Sequence, residues 1–519
     1  MKPNRNPSVS KKAIAEMVRR AAQLWQQGQY ANYFDAMKKI AEMDPGNDAV
    51  AIDIGAAFAM RYDYPAAERW FERAVASAKN KSTALAMIGL QCRNAIRYDL
   101  AERYLERAAE AKGATPDTLA KLAEMYERLR RIDKANETVD RALRLDGGNA
   151  LALLVSARLA RSAGRLEEAE RITRSFIDRS DEDSWSTRIR GWYELGANLD
   201  LQARYGEAMA AFLSAKAMIR PIAGPYITEQ RMAQAKLKEA TEKITREVLQ
   251  EWVSDSEVSV SRPCRLAVIC GHPRSGTTLL EQILDSHPEV VSAEETAIFF
   301  EAAMSLRRRL PSEAGMLETL ESASPEVLHK TRDWYLHAMR MFVGSPIGDR
   351  LLIDKNPSLT GLIPGLVRVF PETRFIVALR DPRDVCLSCF MQPLPLNSPS
   401  SSYLSLEETV TEYVSLMGFW RSMAPRLPNP AIEVRYEDLV NDVAATARAV
   451  LSFLGLDWDE RVLRFDEHAK RKLVRSPTYA EVARPISKTA VGRWKNYQEY
   501  MEPLLPKLEP FLTAFGYQR

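Results

Sequence analysis

The sequence predicts an α-helical repeat solenoid followed by an α/β domain with a parallel sheet, and three observations carry that expectation. A 34-residue period runs through the first part of the chain. Near residue 263 the composition shifts to short apolar runs of strand length. Three of those runs end in, or lead straight into, a turn carrying a basic residue: Arg274, Lys355 and Arg380. The expected division is 1–218 for the repeat array, 219–262 for a helical linker and 263–519 for the α/β domain. A chain of 519 residues exceeds one ordinary core, so more than one module is required in any case.

The period is read from small and large apolar positions. Ala67, Phe71 and Ala74 recur as Ala101, Leu105 and Ala108, then as Ala135, Val139 and Ala142, then as Ala169, Thr173 and Phe176. A divergent first copy holds Tyr33, Met37 and Ile40, and a last copy with five extra residues before it holds Ala208, Phe212 and Ala215. Alanine lets two helices approach closely, and the bulkier middle residue fills the groove between pairs. Over residues 20–218 this pattern resembles the tetratricopeptide repeat family, with Leu24, Trp25, Gly28 and Tyr30 nearest to its aromatic signature. The resemblance implies a peptide- or protein-binding surface, or else a purely structural array. Pro221 to Pro225 then open a charged helical stretch ending near Trp252.

Composition narrows the function classes. A hydrophobic fraction of 46% with 27% charged residues belongs to a globular chain, and a net charge of +3 excludes wholesale nucleic-acid binding, so any anion site must be local. The N-terminus lacks the apolar core of an export signal, and no uncharged apolar run approaches about 18 residues, so no membrane span is expected. Five scattered cysteines suit a reducing, cytoplasmic setting. Cys386 and Cys389 form a C-x-x-C without a second pair or a nearby His, and are read as packing residues, with no metal expected.

The α/β domain opens with the strand pattern Arg265–Cys270, the turn Gly271-His272-Pro273-Arg274-Ser275-Gly276-Thr277-Thr278, and a helix with Leu279, Leu280, Ile283 and Leu284 on one face. Strand, glycine-rich turn and helix converge backbone N–H groups and a helix N-terminus on an anion. A nucleoside-triphosphate loop needs Lys where this chain has Thr277, which argues against an ATPase or kinase and for a ligand with a single 5′-phosphoryl group. A second strand, Phe375–Leu379, runs into Arg380-Asp381-Pro382-Arg383-Asp384, with Asp381 as N-cap and Pro382 at the first helical position. Arg383 is equally basic, and the alternative to an anion contact is a simple pairing with Asp384. A third, Leu351–Ile353, ends in Asp354-Lys355-Asn356-Pro357.

The segments 273–279, Leu284 to Val290 and Glu294-Glu295-Thr296 resemble the donor-binding half of the sulfotransferases that use 3′-phosphoadenosine-5′-phosphosulfate (PAPS), and most of all the protein-tyrosine sulfotransferases. The resemblance covers the C-terminal half only and implies a sulfuryl transfer from PAPS, without a metal, to a hydroxyl acceptor. Protein tyrosine is the first choice; a carbohydrate, a lipid or a small molecule is the alternative, and a kinase or a non-catalytic scaffold are the competing classes. It implies that Arg274, Ser275, Gly276, Thr277 and Thr278 hold the 5′-phosphosulfate, and that Arg380 and Ser388 hold the 3′-phosphate. Tyr436 in Arg435-Tyr436-Glu437-Asp438, Ser476 and Lys488 match a strand-end turn and a closing loop over the nucleotide. Glu295 is implied as the base, with Lys355 and Arg274 stabilising the leaving phosphate; His287, in an Asp-Ser-His-Pro turn, is the rival base and is read as structural.

Overall fold

A computed structural model of the chain describes residues 11–179, 185–257, 264–308, 314–471 and 486–518. It contains two compact units, Met1–Ile172 and Thr173–Arg519.

The first unit is built from antiparallel helix pairs: Lys11–Gln26 with Tyr30–Met43, Asp48–Met60 with Tyr64–Ser77, Lys81–Asn94 with Tyr98–Glu110, and Pro116–Arg128 with Ile132–Leu145. Ala150–Ser162 opens a fifth, whose second helix, Leu166–Ile177, crosses the boundary. The repeating alanines Ala67, Ala74, Ala101, Ala108, Ala135 and Ala142 are completely buried. In two of the pairs the first helix also yields to the middle residue of the second. A Cβ at Gly55 would lie 2.5 Å from the Phe71 ring, and one at Gly89 would lie 2.7 Å from Leu105.

The turn inside each pair has its own period. Gly28, Tyr62, Ile96, Arg130 and Gly164 all have positive φ, between 58° and 78°, and the next amide closes back on the helix, as in Arg97 N–H to Cys92 O (2.8 Å) and Arg131 N–H to Tyr126 O (2.8 Å). Only glycine takes this conformation without a Cβ clash. Ile96, β-branched at φ 58°, is the most strained of them. Ile96→Gly is therefore expected to stabilise the array by about 1 kcal/mol, the relief of left-handed strain exceeding the entropy cost of glycine. A lower thermal unfolding midpoint in the variant would refute this.

The second unit begins with the last repeat pair, Trp185–Leu201 and Tyr205–Ile219, which has the same turn (Ala203, φ 56°) and the same close approach, a Cβ at Gly196 falling 2.6 Å from Phe212. The same turn and close approach thus recur in this pair, while the compact units part at 172. Within the stretch read as a linker, helices Gly224–Lys243 and Arg246–Glu257 pack onto the α/β domain. Arg426 Nη1 donates to the carbonyls of Thr241 (2.7 Å) and Ile244 (2.6 Å), and Trp252 is buried beneath Arg368.

Five strands form one parallel sheet: β1 (Leu266–Gly271), β2 (Val290–Glu294), β3 (Leu351–Lys355), β4 (Arg374–Leu379) and β5 (Ala431–Arg435), in the order β2-β3-β1-β4-β5. The first three are buried along their whole length, as continuous apolar runs covered on both faces should be. Helix Thr277–Asp285 inserts Leu280, Ile283 and Leu284 against Ala267, Ile269 and Ile353. Because all strands run the same way, the ends of β1, β2, β3 and β4 open on one edge of the sheet, where α/β folds gather ligands. No helix among the described residues is long and apolar enough to cross a membrane.

Candidate active site

The turn after β1 is held from below and above. Gly271 has φ 134°, and a Cβ there would lie 2.4 Å from the Ala378 carbonyl of β4, so no other residue fits. Its N–H donates to Thr360 Oγ1 (2.7 Å), and that hydroxyl donates to the Gly271 carbonyl (2.7 Å). Gly276, at φ 87°, caps the Thr277–Asp285 helix, and a Cβ there would lie 2.5 Å from the Tyr436 ring. The expected cradle residues Ser275, Thr277 and Thr278 are buried around it.

Arg274 lies inside the turn with φ 72°, and its Nε donates to Ser388 Oγ (3.0 Å). Arg380, at the end of β4, donates from Nη1 to the Arg274 carbonyl (3.1 Å) and from Nη2 to the Ala490 carbonyl, and lies 5.0 Å from the centre of the Tyr436 ring. Arg274, Ser388, Arg380 and Tyr436 thus come from four segments to one place. Asp381 caps helix Pro382–Met391, as expected from its Asp-Pro start. Arg383, however, does not pair with Asp384: its guanidinium grips Asp381 (2.9 and 2.7 Å) and stacks on Trp494. The cap turns Asp381 back over the first helical turn, which leaves Asp384 facing the N–H groups of Gly492 (2.7 Å) and Trp494 (2.8 Å), with Arg380 at 4.0 Å. Burial raises the Asp384 carboxyl above its usual range, against the pull of Arg380 and those two amides.

A second cluster forms where β2 and β3 end. Lys355 is fully buried, and its Nζ lies 2.9 Å from Glu295, 3.4 Å from Glu294 and 3.5 Å from Thr278 Oγ1. Burial would lower its proton affinity, but Glu295, Glu294 and Glu281 outweigh that and hold the amine above its ordinary range, so it is an ammonium. Glu295 has φ 49°, locked by its N–H to the Lys355 carbonyl (2.6 Å). Its side chain keeps 34% of its exposure, whereas that of Glu294 keeps 1%, so Glu295 is the carboxylate of the pair that an incoming group can reach. Asn356 turns away, donating to the Thr296 carbonyl (2.8 Å) and capping the next turn.

The remaining candidates separate. His287 is buried in the turn after Thr277–Asp285, with Nε2 on the Asp457 carbonyl (3.0 Å) and Nδ1 accepting from Glu289 N–H (3.2 Å). Lys488 donates to Asn441 Oδ1 (2.8 Å) and does not join the Arg380 cluster. Ser476 lies outside the described residues. Cys386 and Cys389 are buried free thiols on helix Pro382–Met391.

Two features had no sequence signal strong enough to find them. His272, completely buried, faces the Pro273 carbonyl with Nδ1 (2.8 Å) and the Glu412 carboxylate with Nε2 (2.5 Å). Burial opposes a charge on this ring, but Glu412 and the neighbouring Cys389, whose Sγ lies 3.8 Å from Nδ1, outweigh it and raise its proton affinity well above the ordinary histidine range. Glu281, also completely buried, accepts from Ser292 Oγ and Gln282 Nε2 and adds negative potential behind Lys355.

The region that carries these clusters is similar to known proteins. Residues 267–460 match the sulfotransferase family, a span that contains both clusters apart from the closing 490–494 stretch. Protein-tyrosine sulfotransferase 2 of Gallus gallus is 26% identical over 291 residues, covering 50% of this chain and 71% of that protein. An uncharacterized protein of Aquifex aeolicus is 22% identical over 333 residues, and the alignment spans 62% of this chain but only 42% of that protein's length. Among solved structures, the sulfotransferase domain of the Synechococcus PCC 7002 olefin synthase is 22% identical, with a TM-score of 0.31, over 48% of this chain and 97% of its own.

Proposed function

We propose that the chain, which matches the sulfotransferase family over residues 267–460, transfers a sulfuryl group from PAPS to an acceptor hydroxyl. The observation that carries this reading is backbone strain. Outside the repeat turns, only two non-glycine residues among those described have left-handed φ, and they are Arg274 and Glu295. Strain of this kind persists where the surrounding fold enforces it, commonly at functional sites. Here it aims a guanidinium into the phosphate turn and a carboxylate beside a buried ammonium.

In this reading the 5′-phosphosulfate is held by the N–H groups and side chains of Arg274 to Thr278, and the 3′-phosphate by Arg380 and Ser388, with Tyr436 against the turn. Glycine at 271 and 276 keeps the cradle free of Cβ atoms, and Thr277 leaves it without the lysine a triphosphate would need. The acceptor oxygen attacks sulfur, the bond from sulfur to the 5′-phosphate oxygen breaks, and adenosine 3′,5′-bisphosphate leaves. Glu295 takes the acceptor's proton, while Lys355 and Arg274 stabilise the charge that grows on the leaving phosphate. Protein tyrosine is the proposed acceptor, supported by Glu294-Glu295-Thr296 and by relatives named protein-tyrosine sulfotransferases; the repeats are the proposed peptide holder, and residues 263–519 with the last repeat pair the proposed catalytic part.

Adenosine 3′,5′-bisphosphate should then stabilise the protein, by about 2.7 kcal/mol at 100 times its dissociation constant, and ATP far less. A thermal-shift comparison in which ATP is the better ligand would sink the proposal. Labelled PAPS supplied with a lysate identifies the acceptor; label on a glycan, lipid or small molecule would replace tyrosine.

A further inference from the structure

The last repeat pair reaches the proposed 3′-phosphate site through one carboxylate. Asp200, at the end of helix Trp185–Leu201, accepts from Arg493 Nη2 (2.6 Å) and from the Tyr497 hydroxyl (2.6 Å), and keeps only 12% side-chain exposure. Tyr205, on the following helix, packs edge-on against Tyr497 with ring centres 5.4 Å apart. The same short stretch is bound on its other side to the Arg380 cluster. Gly492 and Trp494 donate their N–H groups to the two oxygens of Asp384, and the Ala490 carbonyl accepts from Arg380. Within five residues the backbone therefore faces Arg380 and Asp384 while the intervening Arg493 side chain is tied to Asp200.

We propose that Asp200 is a positioning residue for Arg380, so that discrimination in favour of a 3′-phosphate depends on the last repeat pair; this rests on the reading of Arg380 as the 3′-phosphate ligand. Arg380 has the Arg274 carbonyl on one side and the Ala490 carbonyl on the other. The first is set by the phosphate turn. The second is set by the 490–497 stretch, whose anchors are Asp384 and Asp200. Charge-assisted hydrogen bonds are the strong ones, and Asp200 receives one from a guanidinium and a second bond from a phenol. Loss of that anchor leaves the stretch that carries Ala490 held by Asp384 alone, and so loosens the guanidinium that must meet the 3′-phosphate. The 5′-phosphate cradle meets Arg380 at the Arg274 carbonyl but keeps its own supports, the paired Gly271–Thr360 bonds and the Gly276 cap.

The test uses the full chain and calorimetric titration with two probes, adenosine 3′,5′-bisphosphate and adenosine 5′-phosphate. In Asp200→Ala the bisphosphate affinity is expected to fall about tenfold, the loss of a hydrogen bond to a charged group, while the 5′-phosphate affinity stays within about twofold. Arg493→Met removes the same tie from the other side and should give the same selective loss, and Asp200→Glu should recover part of it. Equal losses for both probes, or an unchanged ratio in a folded Asp200→Ala or Arg493→Met chain, would overturn the proposal. A wild-type chain that binds both probes equally would instead overturn the assignment of Arg380 on which it stands.

Discussion

Glu295→Gln is expected to leave adenosine 3′,5′-bisphosphate affinity within about twofold and to lower turnover by about 10²–10⁴-fold, the usual contribution of a positioned base. The amide keeps the length of the side chain and an oxygen to accept from Lys355, now 2.9 Å away, so the cluster stays assembled. What disappears is the ability to take a proton. Glu294 cannot substitute, because it is buried behind the Lys355 ammonium. Steady-state kinetics beside a nucleotide titration separates the two effects. His287→Asn is the control: its ring bridges Glu289 N–H and the Asp457 carbonyl, so the change should appear as a lower unfolding midpoint. A Glu295→Gln enzyme with near-normal turnover, alongside a folded but inactive His287→Asn protein, would reverse the assignment of the base.

Lys355→Met is expected to abolish turnover and also to destabilise the domain by about 3–5 kcal/mol, the cost of removing one partner from a buried ion pair. Lys355 is completely buried, with Glu295, Glu294 and Glu281 all contributing to its field. The sign of the pH dependence follows from the charges left behind. In the wild type the raised amine contributes stability that is fully present below its unfolded value, about 10.4, and is lost as pH rises through the higher folded value. In the variant the carboxylates have no cation, so its deficit should be greatest at neutral and alkaline pH and shrink as acid neutralises them. Denaturation of both proteins by urea across pH 5–9 measures this. A deficit independent of pH would mean that Lys355 acts through packing alone.

Much of this architecture can be read along the chain because it is set by local chemistry. The 34-residue spacing of alanines, the Gly271–Gly276 turn between an apolar run and an amphipathic helix, and the Asp381-Pro382 start all act through nearest neighbours, and each forms the expected element. Even so, the repeats hold a second small-residue position, at Gly55, Gly89 and Gly196, whose purpose emerges only when the opposite ring is in place. Arg383 shows how a helix cap redirects a charge pair by three residues, from Asp384 to Asp381.

Periodicity and turn chemistry act over a few residues, so the repeats, the strand ends and the basic and acidic groups gathered there are legible along the chain. Which charges meet depends on long-range packing. His272 finds Glu412 across 140 positions, Arg274 finds Ser388 across 114, and Arg493 finds Asp200 across 293. That packing also brought Glu281 into the field of Lys355 and took Lys488 to Asn441. A buried charge must be paired, but any of several opposite charges would satisfy it; which one does is settled by how helices and strands far apart in the chain pack together.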